Sequence, residues 1–218
     1  IPGVISVLAG YVFARLRFRG REAVFFFLLS SMMVPGIINL IPTFIFMARW
    51  PLVGGNNLLG QGGHGFVNEW GGLLIPNLVS VYYIFLLRQT FLSIPRDFEE
   101  AAEVDGASRS RILLDIYLPM IKPTLTVLVI FQAVGVWNDY IWPLIVSTGN
   151  KKLWTIGIGA TKMMYEGRAV KQLLPAEAGG APDHPFAFAM ATLLSLPPIL
   201  LFVFMQRYFI EGVQGFAI

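Results

Sequence analysis

The chain has 218 residues, of which 56% are hydrophobic and 13% are charged, and its mean hydropathy is +0.66. Soluble globular domains carry about 25% charged residues, so this composition argues against a soluble protein. The net charge of +3 is scattered and forms no basic face with interleaved aromatics, which argues against nucleic acid as a partner. The chain contains no cysteine, so disulfides and thiol chemistry are excluded.

Long uncharged stretches predict an all-α polytopic membrane protein. Residues 23–48, 70–87 and 185–206 contain no charge, and a helix needs about 20 apolar residues to cross about 30 Å of hydrocarbon. Residues 1–14 read as the second half of an apolar helix, so we expect the sequence to lack that helix's beginning. The five predicted spans are 1–14, 23–48, 71–88, 121–147 and 185–208.

The second predicted span contains two prolines, Pro35 and Pro42, and each is expected to kink it. Prolines persist within membranes where neighbouring helices or water satisfy the freed carbonyls, which favours a bundle with a cavity over a lone anchor. The third span contains Pro76. Between the fourth and fifth spans, the apolar run 153–165 is too short to cross the membrane.

Charge and tryptophan positions predict the sidedness. Alternation of five spans puts ten of the sixteen Lys and Arg residues on one side, a weak bias that the positive-inside rule assigns to the cytoplasm. The segment 93–120 is then cytoplasmic, and the loops 49–70 and 148–184 lie outside. All five tryptophans fall near the outer boundary, as an aromatic belt would: Trp50, Trp70, Trp137, Trp142 and Trp154.

The cytoplasmic segment 93–120 predicts two short helices joined by a turn. Asp97, Glu99 and Glu100 follow Pro95 within the first turn of the first helix, where the helix dipole favours acids. Asp105 and Gly106 end that helix, because glycine tolerates the left-handed conformation. A second helix is predicted over 108–117, after which Pro119 and Pro123 redirect the chain into the membrane.

This segment carries a family signature. Glu-Ala-Ala, three residues, Gly, nine residues, Ile, one residue and Leu-Pro resembles the coupling loop of binding-protein-dependent ATP-binding-cassette (ABC) importer permeases. Asp105, Ala107 and Ser108 resemble the carbohydrate-uptake branch, of the maltose-permease (second permease) type. The segments 15–20, 32–35, 136–146 and 206–212 resemble other parts of that branch. The matching signature residues are Glu100, Ala101, Ala102, Gly106, Ile116, Leu118 and Pro119.

The resemblance implies a type I importer permease bundle whose first helix is absent from this chain. It implies a membrane-spanning subunit of an ATP-driven sugar importer in the bacterial plasma (inner) membrane, coupled to an ATPase through the signature loop. The implied partners are a second permease subunit, a homodimeric cytoplasmic ATPase and an external substrate-binding protein that contacts the loop 148–184. The alternatives are import of a glycerophosphate or polyol, or a polytopic channel or membrane enzyme.

Candidate residues for a solute pathway lie in the second and fourth predicted spans. Trp137, Asn138 and Trp142 surround Asp139, which lies about 24 Å along the helix from Pro123 at about 1.5 Å per residue. Indole faces and polar groups together suit a sugar, but the same residues suit an interfacial belt, and Asp139 suits either a cap or a contact with sugar. Asn39 could line the pathway or form a hydrogen bond between helices.

No metal or nucleotide site is predicted in this chain. His64 and His184 stand singly in loops without partners at ligand spacing. The chain lacks the phosphate-binding pattern G-x-x-x-x-G-K-[ST] and contains no Gly-Lys pair. We therefore expect no enzymatic activity and no cofactor bound by this chain, with ATP and Mg²⁺ held by the partner ATPase.

Overall fold

A computed structural model describes the backbone of residues 2–162 and 184–214 and the side chains of 3–162 and 188–206. The regular structure of these residues is helical, with no β-strand among them, which confirms the all-α prediction. Most of the predicted outer loop 148–184 lies outside the described residues. The helices are α1 (Pro2–Arg15), α2 (Arg21–Ser30), α3 (Gly36–Ala48), α4 (Trp70–Leu74), α5 (Val81–Ser93), α6 (Asp97–Val104), α7 (Arg109–Met120), α8 (Lys122–Asn138), α9 (Ile141–Val146) and α10 (His184–Gln214).

The predicted helix over 23–48, which was expected to kink at Pro35 and Pro42, is broken before Pro35. A 3-10 turn follows α2, and Val34 is extended at φ −83° and ψ 118° before α3 begins. Val34 precedes Pro35, and the proline ring disfavours the helical conformation in the residue before it. Pro42 lies inside α3 without ending it.

The predicted helix over 71–88 is also divided. The short helix α4 passes into a 3-10 turn that contains Pro76, and α5 begins only at Val81. Ser80 is extended and caps α5, because its hydroxyl accepts a hydrogen bond from the backbone N–H of Tyr83 at 3.4 Å. The helix continues to Ser93, beyond its predicted end.

The predicted helix over 121–147 divides at Asp139, between α8 and α9. The physical reason is Pro143, whose ring would clash with the carbonyl of Asp139 four residues earlier in a continuous helix. In the observed structure Pro143 lies in the first turn of α9, where a missing backbone donor costs little.

Two stretches of the described residues are long and apolar enough to cross a membrane. They are Trp70–Ser93, with 24 residues, and Phe188–Gln206, with 19. The count rises to four if each bent pair is one span, the pairs being α2 with its 3-10 turn and α3, and α7 with α8. The apolar helix Gly3–Arg15 is shorter than a span. The five predicted spans therefore remain a prediction.

The chain forms two compact units, and the first comprises Ile1–Asn39, Pro76–Gln132 and Met205–Ile218. In it α1 packs against α5 through a row of small residues, Ser6, Gly10 and Ala14, which recur at every fourth position and are buried. A Cβ atom at Gly10 would lie 2.8 Å from the Cβ of Leu87. The small row therefore lets the two helices approach closely, as in membrane helix pairs.

The second unit comprises Leu40–Ile75 and Ala133–Phe204. Its loop between α3 and α4 is organised around Asn56, which is 7% exposed. The Asn56 amide donates to the carbonyls of Ala48 and Trp50 at 2.9 and 3.0 Å and accepts from the N–H of Gly63 at 2.9 Å. One side chain thus satisfies three backbone groups that a loop would otherwise leave unpaired.

Candidate functional site

The helix α6 lies at the centre of the signature segment. It begins two residues after Pro95 and carries Asp97, Glu99 and Glu100 in its first turn, as predicted. The carboxylates face the positive end of the helix dipole. The amphipathic character of this eight-residue helix decides which signature residues face the rest of the unit and which face outward.

Gly106 ends α6 in the predicted left-handed conformation, with φ +78°. Its N–H donates to the carbonyl of Glu103 at 3.0 Å, and the N–H of Ala107 donates to that of Ala102 at 2.9 Å. These two bonds form a Schellman motif, which satisfies carbonyls that the helix end leaves free. Ser108 then caps α7 by accepting from the N–H of Arg111 at 3.4 Å.

The helix α7 contains a π-helical stretch, Ile112–Tyr117, directly before Leu118 and Pro119. The N–H of Leu118 donates to the carbonyl of Leu113, five residues back. In a regular helix the ring of Pro119 would press on the carbonyl of Asp115, four residues back. The wider π turn relieves that conflict, and the helix continues to Met120 instead of ending at 117 as predicted.

The inward side of the signature segment is apolar and belongs to the core of the first unit. Ala102 is 9% exposed, whereas Ile112 and Tyr117 are fully buried, and all three pack with residues of α1 and α5. Partly buried signature positions pack against the same cluster: Ala107, Ile116 and Leu118. The small side chain of Ala102 brings α6 close to the chain's own core.

The outward side of α6 is exposed among the residues that the structure describes. Phe98 is 49% and Val104 is 87% exposed. Ala101 is exposed and lies between them at helical spacing, and Glu100 is exposed beside it. The three apolar residues Phe98, Ala101 and Val104 form what we call the outer face of α6. An exposed apolar face flanked by acids is typical of a protein-binding surface.

Arg15, the last residue of α1, lies beneath the inward side of α6. Its side chain is 2% exposed. Its Nη2 donates to the backbone carbonyls of Phe91 and Ile94 at the C-terminal end of α5. Its Nη1 lies 3.7 Å from Oε2 of Glu99. The guanidinium therefore joins the negative end of one helix to an acid in the first turn of another.

Tyr117 completes this arrangement from α7. Its hydroxyl donates to Oε2 of Glu99 at 2.8 Å, and its ring centroid lies 4.9 Å from the guanidinium carbon of Arg15. Tyr11 and Phe91 pack on Tyr117 with centroid separations of 5.7 and 5.6 Å. We refer to Arg15, Glu99 and Tyr117 as the buried joint. In the buried joint the Glu99 carboxylate is contacted by the Arg15 guanidinium and by the Tyr117 hydroxyl, next to packed aromatic rings.

A second ion pair in the same unit does not involve α6. Arg88 of α5 donates from Nη2 to both carboxylate oxygens of Glu22, at 3.1 and 3.0 Å. Its guanidinium carbon lies 4.1 Å from the ring centroid of Phe25. Arg21 also pairs with Glu22, at 2.7 Å. This group ties the start of α2 to α5, and half of the Glu22 side chain remains exposed.

A cavity of about 230 Å³ opens next to the buried joint. Side chains of both charge signs line it, and its three acidic residues belong to α6. Mixed charge at this density suits contact with a protein surface that also carries both signs. The lining residues are Arg15, Arg17, Arg96, Glu99, Glu100, Glu103 and Arg109.

The buried joint was not predicted from the sequence. A signal was present, because Arg15 is the first of four arginines after the first apolar segment, and Glu99 stands beside the signature residue Glu100. The pairing of residues 84 positions apart depends on how α1 packs against α5. Local sequence patterns do not encode that packing.

Two of the predicted pathway residues form hydrogen bonds within the chain. The indole N–H of Trp137 donates to the carbonyl of Leu194 at 2.9 Å, and that of Trp142 donates to the carbonyl of Gly72 at 2.9 Å. Asp139 is half-buried and directly precedes Tyr140, the N-cap residue of α9, which makes no side-chain capping hydrogen bond, so both alternatives for Asp139 stay predictions. Asn138 is exposed. These four residues lie in the second unit.

Asn39 lies in the first unit and is exposed. Its place in a solute pathway stays a prediction. Within the described side chains, no group of three or more His, Asp or Glu residues is arranged to hold a metal ion. The side chain of His184 lies outside the described residues.

A protein family and a solved structure match nearly the whole of this chain. The family model described as "Binding-protein-dependent transport system inner membrane component" matches residues 6–215. A bacterial ABC transporter involved in the import of the acidic polysaccharide alginate has a chain with TM-score 0.69 and 25% identity. The match covers 95% of this chain and 70% of that one.

Similar curated proteins are transport permeases. The arabinooligosaccharides permease of Bacillus subtilis is 31% identical, covering 95% of this chain and 64% of the relative. The sn-glycerol-3-phosphate permease of Rhizobium meliloti is 30% identical, covering 96% and 65%. The lactose permease of Rhizobium radiobacter is 30% identical, covering 97% and 67%. The chain thus spans about two thirds of the length of these relatives, between 64% and 67%.

Proposed function

Because the chain belongs to the family of inner membrane components of binding-protein-dependent transport systems, we propose that it is a membrane-spanning subunit of an ATP-driven sugar importer. In this proposal it forms half of a translocation pathway, together with a second, related permease subunit. The solute crosses unchanged, so the chain performs transport and no enzymatic reaction.

The observation that carries the proposal is the outer face of α6. A helix held on its inward side by a packed core, and exposing Phe98, Ala101 and Val104 outward, is built to dock against another protein. Glu100 adds a carboxylate for a charge-assisted bond to a basic group of the partner. The proposed partner is a cytoplasmic, homodimeric ATPase that holds ATP and Mg²⁺.

The remaining partners follow from the same proposal. In this proposal an external substrate-binding protein delivers the solute, which the words "binding-protein-dependent" in the family description support. ATP-driven closure of the ATPase would move α6, and α6 would bias the membrane helices between two states.

Co-purification tests the docking. The wild-type chain, co-expressed with the neighbouring transport genes and extracted in mild detergent, is expected to retain an ATPase subunit. Val104→Asp places a charge on the outer face of α6 and should abolish retention, because an unpaired charge would be buried in the interface. Ser110→Asp is the control, since it adds the same charge at an exposed position outside α6. Absence of an ATPase from the wild-type complex contradicts the proposal.

The solute class has a second candidate. Relatives of nearly equal identity are described as permeases for arabinooligosaccharides, lactose and sn-glycerol-3-phosphate. These identities do not separate a neutral sugar from a phosphorylated polyol as the solute of this chain. Calorimetric titration of the partner binding protein with these three solutes is expected to show binding of a sugar. Binding of sn-glycerol-3-phosphate alone would favour the second candidate.

A further inference from the structure

We propose that Arg15 is a positioning residue for transport, because it fixes α6 to the ends of α1 and α5 so that the three helices move as one body. This inference rests on the proposed function and concerns how motion passes from α6 into the membrane. The docking face points outward, whereas the joint lies on the opposite side of the same helix.

The contacts of Arg15 converge from three directions. Arg15 itself ends α1, the carbonyls of Phe91 and Ile94 end α5, and Glu99 lies in the first turn of α6. One planar guanidinium has donors in a fixed fork, so it can hold acceptors from two helices at set angles. A displacement of α6 alone would pull Glu99 away from a cation that the two carbonyls hold in place.

The surroundings make such a displacement unfavourable. The Arg15 side chain is 2% and the Glu99 side chain 17% exposed, so little water is available to replace a lost contact. Removing one partner of a buried pair leaves the other charge without compensation. Tyr117 adds a hydrogen bond to Glu99 from α7 and places its ring beside the guanidinium. The joint therefore includes the helix that leads into α8.

Paired spin labels can test this joint, because the chain contains no cysteine. Leu8→Cys in α1 and Asp97→Cys in α6 provide two exposed labelling positions. The assembled complex is measured by pulsed electron paramagnetic resonance, without nucleotide and after trapping with ATP and orthovanadate, its other subunits being free of cysteine. The wild-type joint should give one narrow distance distribution that is the same in both states.

Three variants weaken the joint by different routes. Tyr117→Phe removes the hydroxyl donor, Glu99→Gln removes the charge, and Arg15→Lys keeps the charge but loses the fork. Each is expected to lose the narrow distribution, or to shift it between the two states, while the ATPase remains bound through the outer face. Glu22→Gln is the matched control, because it breaks the Arg88–Glu22 pair without touching α6.

The outcomes separate the two proposals. A narrow, unchanged distribution in Arg15→Lys, or in both Glu99→Gln and Tyr117→Phe, would overturn the inference. Equal broadening in Glu22→Gln would also overturn it, since the effect would then reflect general loosening of the unit. A wild-type complex without an ATPase counts against the proposed function. The nucleotide-free distributions would still decide whether the joint holds α6 to α1.

Discussion

Gly106 determines the turn between α6 and α7, because its left-handed conformation allows the two hydrogen bonds that close α6. A Cβ atom added there would meet no atom within 4 Å, so the restriction is conformational and not steric crowding by neighbours. The turn in the signature segment therefore needs a glycine for its backbone angle.

Gly106→Ala is expected to lower the free energy of unfolding by about 1–2 kcal/mol, the cost of a left-handed conformation for a residue with a Cβ atom. Denaturant titration of the detergent-solubilised protein measures this. Gly135→Ala is the control, because Gly135 lies within α8 with open space around it and without a positive φ. That substitution should raise stability by about 0.5–1 kcal/mol. A neutral Gly106→Ala would refute the role given to the turn.

Individual residues of the signature segment were predicted well where the cause is local. The acids of the first turn of α6 and the conformation of Gly106 follow from the helix dipole and from backbone sterics, and both are confirmed. The inward burial of Ala102 and the pairing of Arg15 with Glu99 depend on contacts between distant segments. The sequence of α6 alone does not show that Ala102 faces inward and that Ala101 faces outward.

At the scale of elements, prolines explain where the predicted helices depart from the observed ones. Pro35 and Pro143 follow interruptions of predicted helices, whereas Pro42 lies within α3 without interrupting it. Pro119 leaves α7 continuous and is preceded by a π-helical stretch. Hydropathy located the apolar segments, but it does not reflect that a proline lacks a backbone N–H donor. Attention to the carbonyl four residues before each proline would have indicated the break at Asp139.

Pro119→Ala is expected to let the π-helical stretch return to a regular helix and turn Tyr117 away from Glu99. A double-mutant cycle of Glu99→Gln and Tyr117→Phe compares their effects on the free energy of unfolding. In the wild-type background the coupling energy should be about 1.5–3 kcal/mol, which is typical of a hydrogen bond to a charged group. In the Pro119→Ala background the coupling should vanish. Pro123→Ala is the control, because Pro123 lies in the first turn of α8. Retained coupling in Pro119→Ala would show that the proline does not set the position of Tyr117.

At the scale of the molecule, the family and the helical architecture were predictable from the signature and the uncharged stretches. The number of membrane spans was harder to predict from the sequence, because several apolar segments form bent pairs or shorter helices. In the candidate span Phe188–Gln206 no residue is buried within the chain. Such a helix needs lipid or another subunit against it, and a single sequence does not say which.

Sidedness can be tested with single cysteines in this cysteine-free chain. Leu59 is 77% exposed in the predicted outer loop 49–70, and Ser110 is exposed in α7. A membrane-impermeant maleimide applied to cells with a permeable outer envelope is expected to label Leu59→Cys directly. Ser110→Cys should be labelled only after the plasma membrane is opened, because α7 is predicted to be cytoplasmic. The reverse pattern would invert the topology.

The hydrogen bond from the indole N–H of Trp137 to the carbonyl of Leu194 makes the fluorescence of this tryptophan sensitive to the contact between the two helices. It joins the end of α8 to the middle of α10, and the side chain is half-buried. If α10 separates from α8, the indole N–H loses its carbonyl and meets water, and its fluorescence shifts to longer wavelength. In a variant with phenylalanine at the other four tryptophan positions, that colour change would follow the helix contact without an added label.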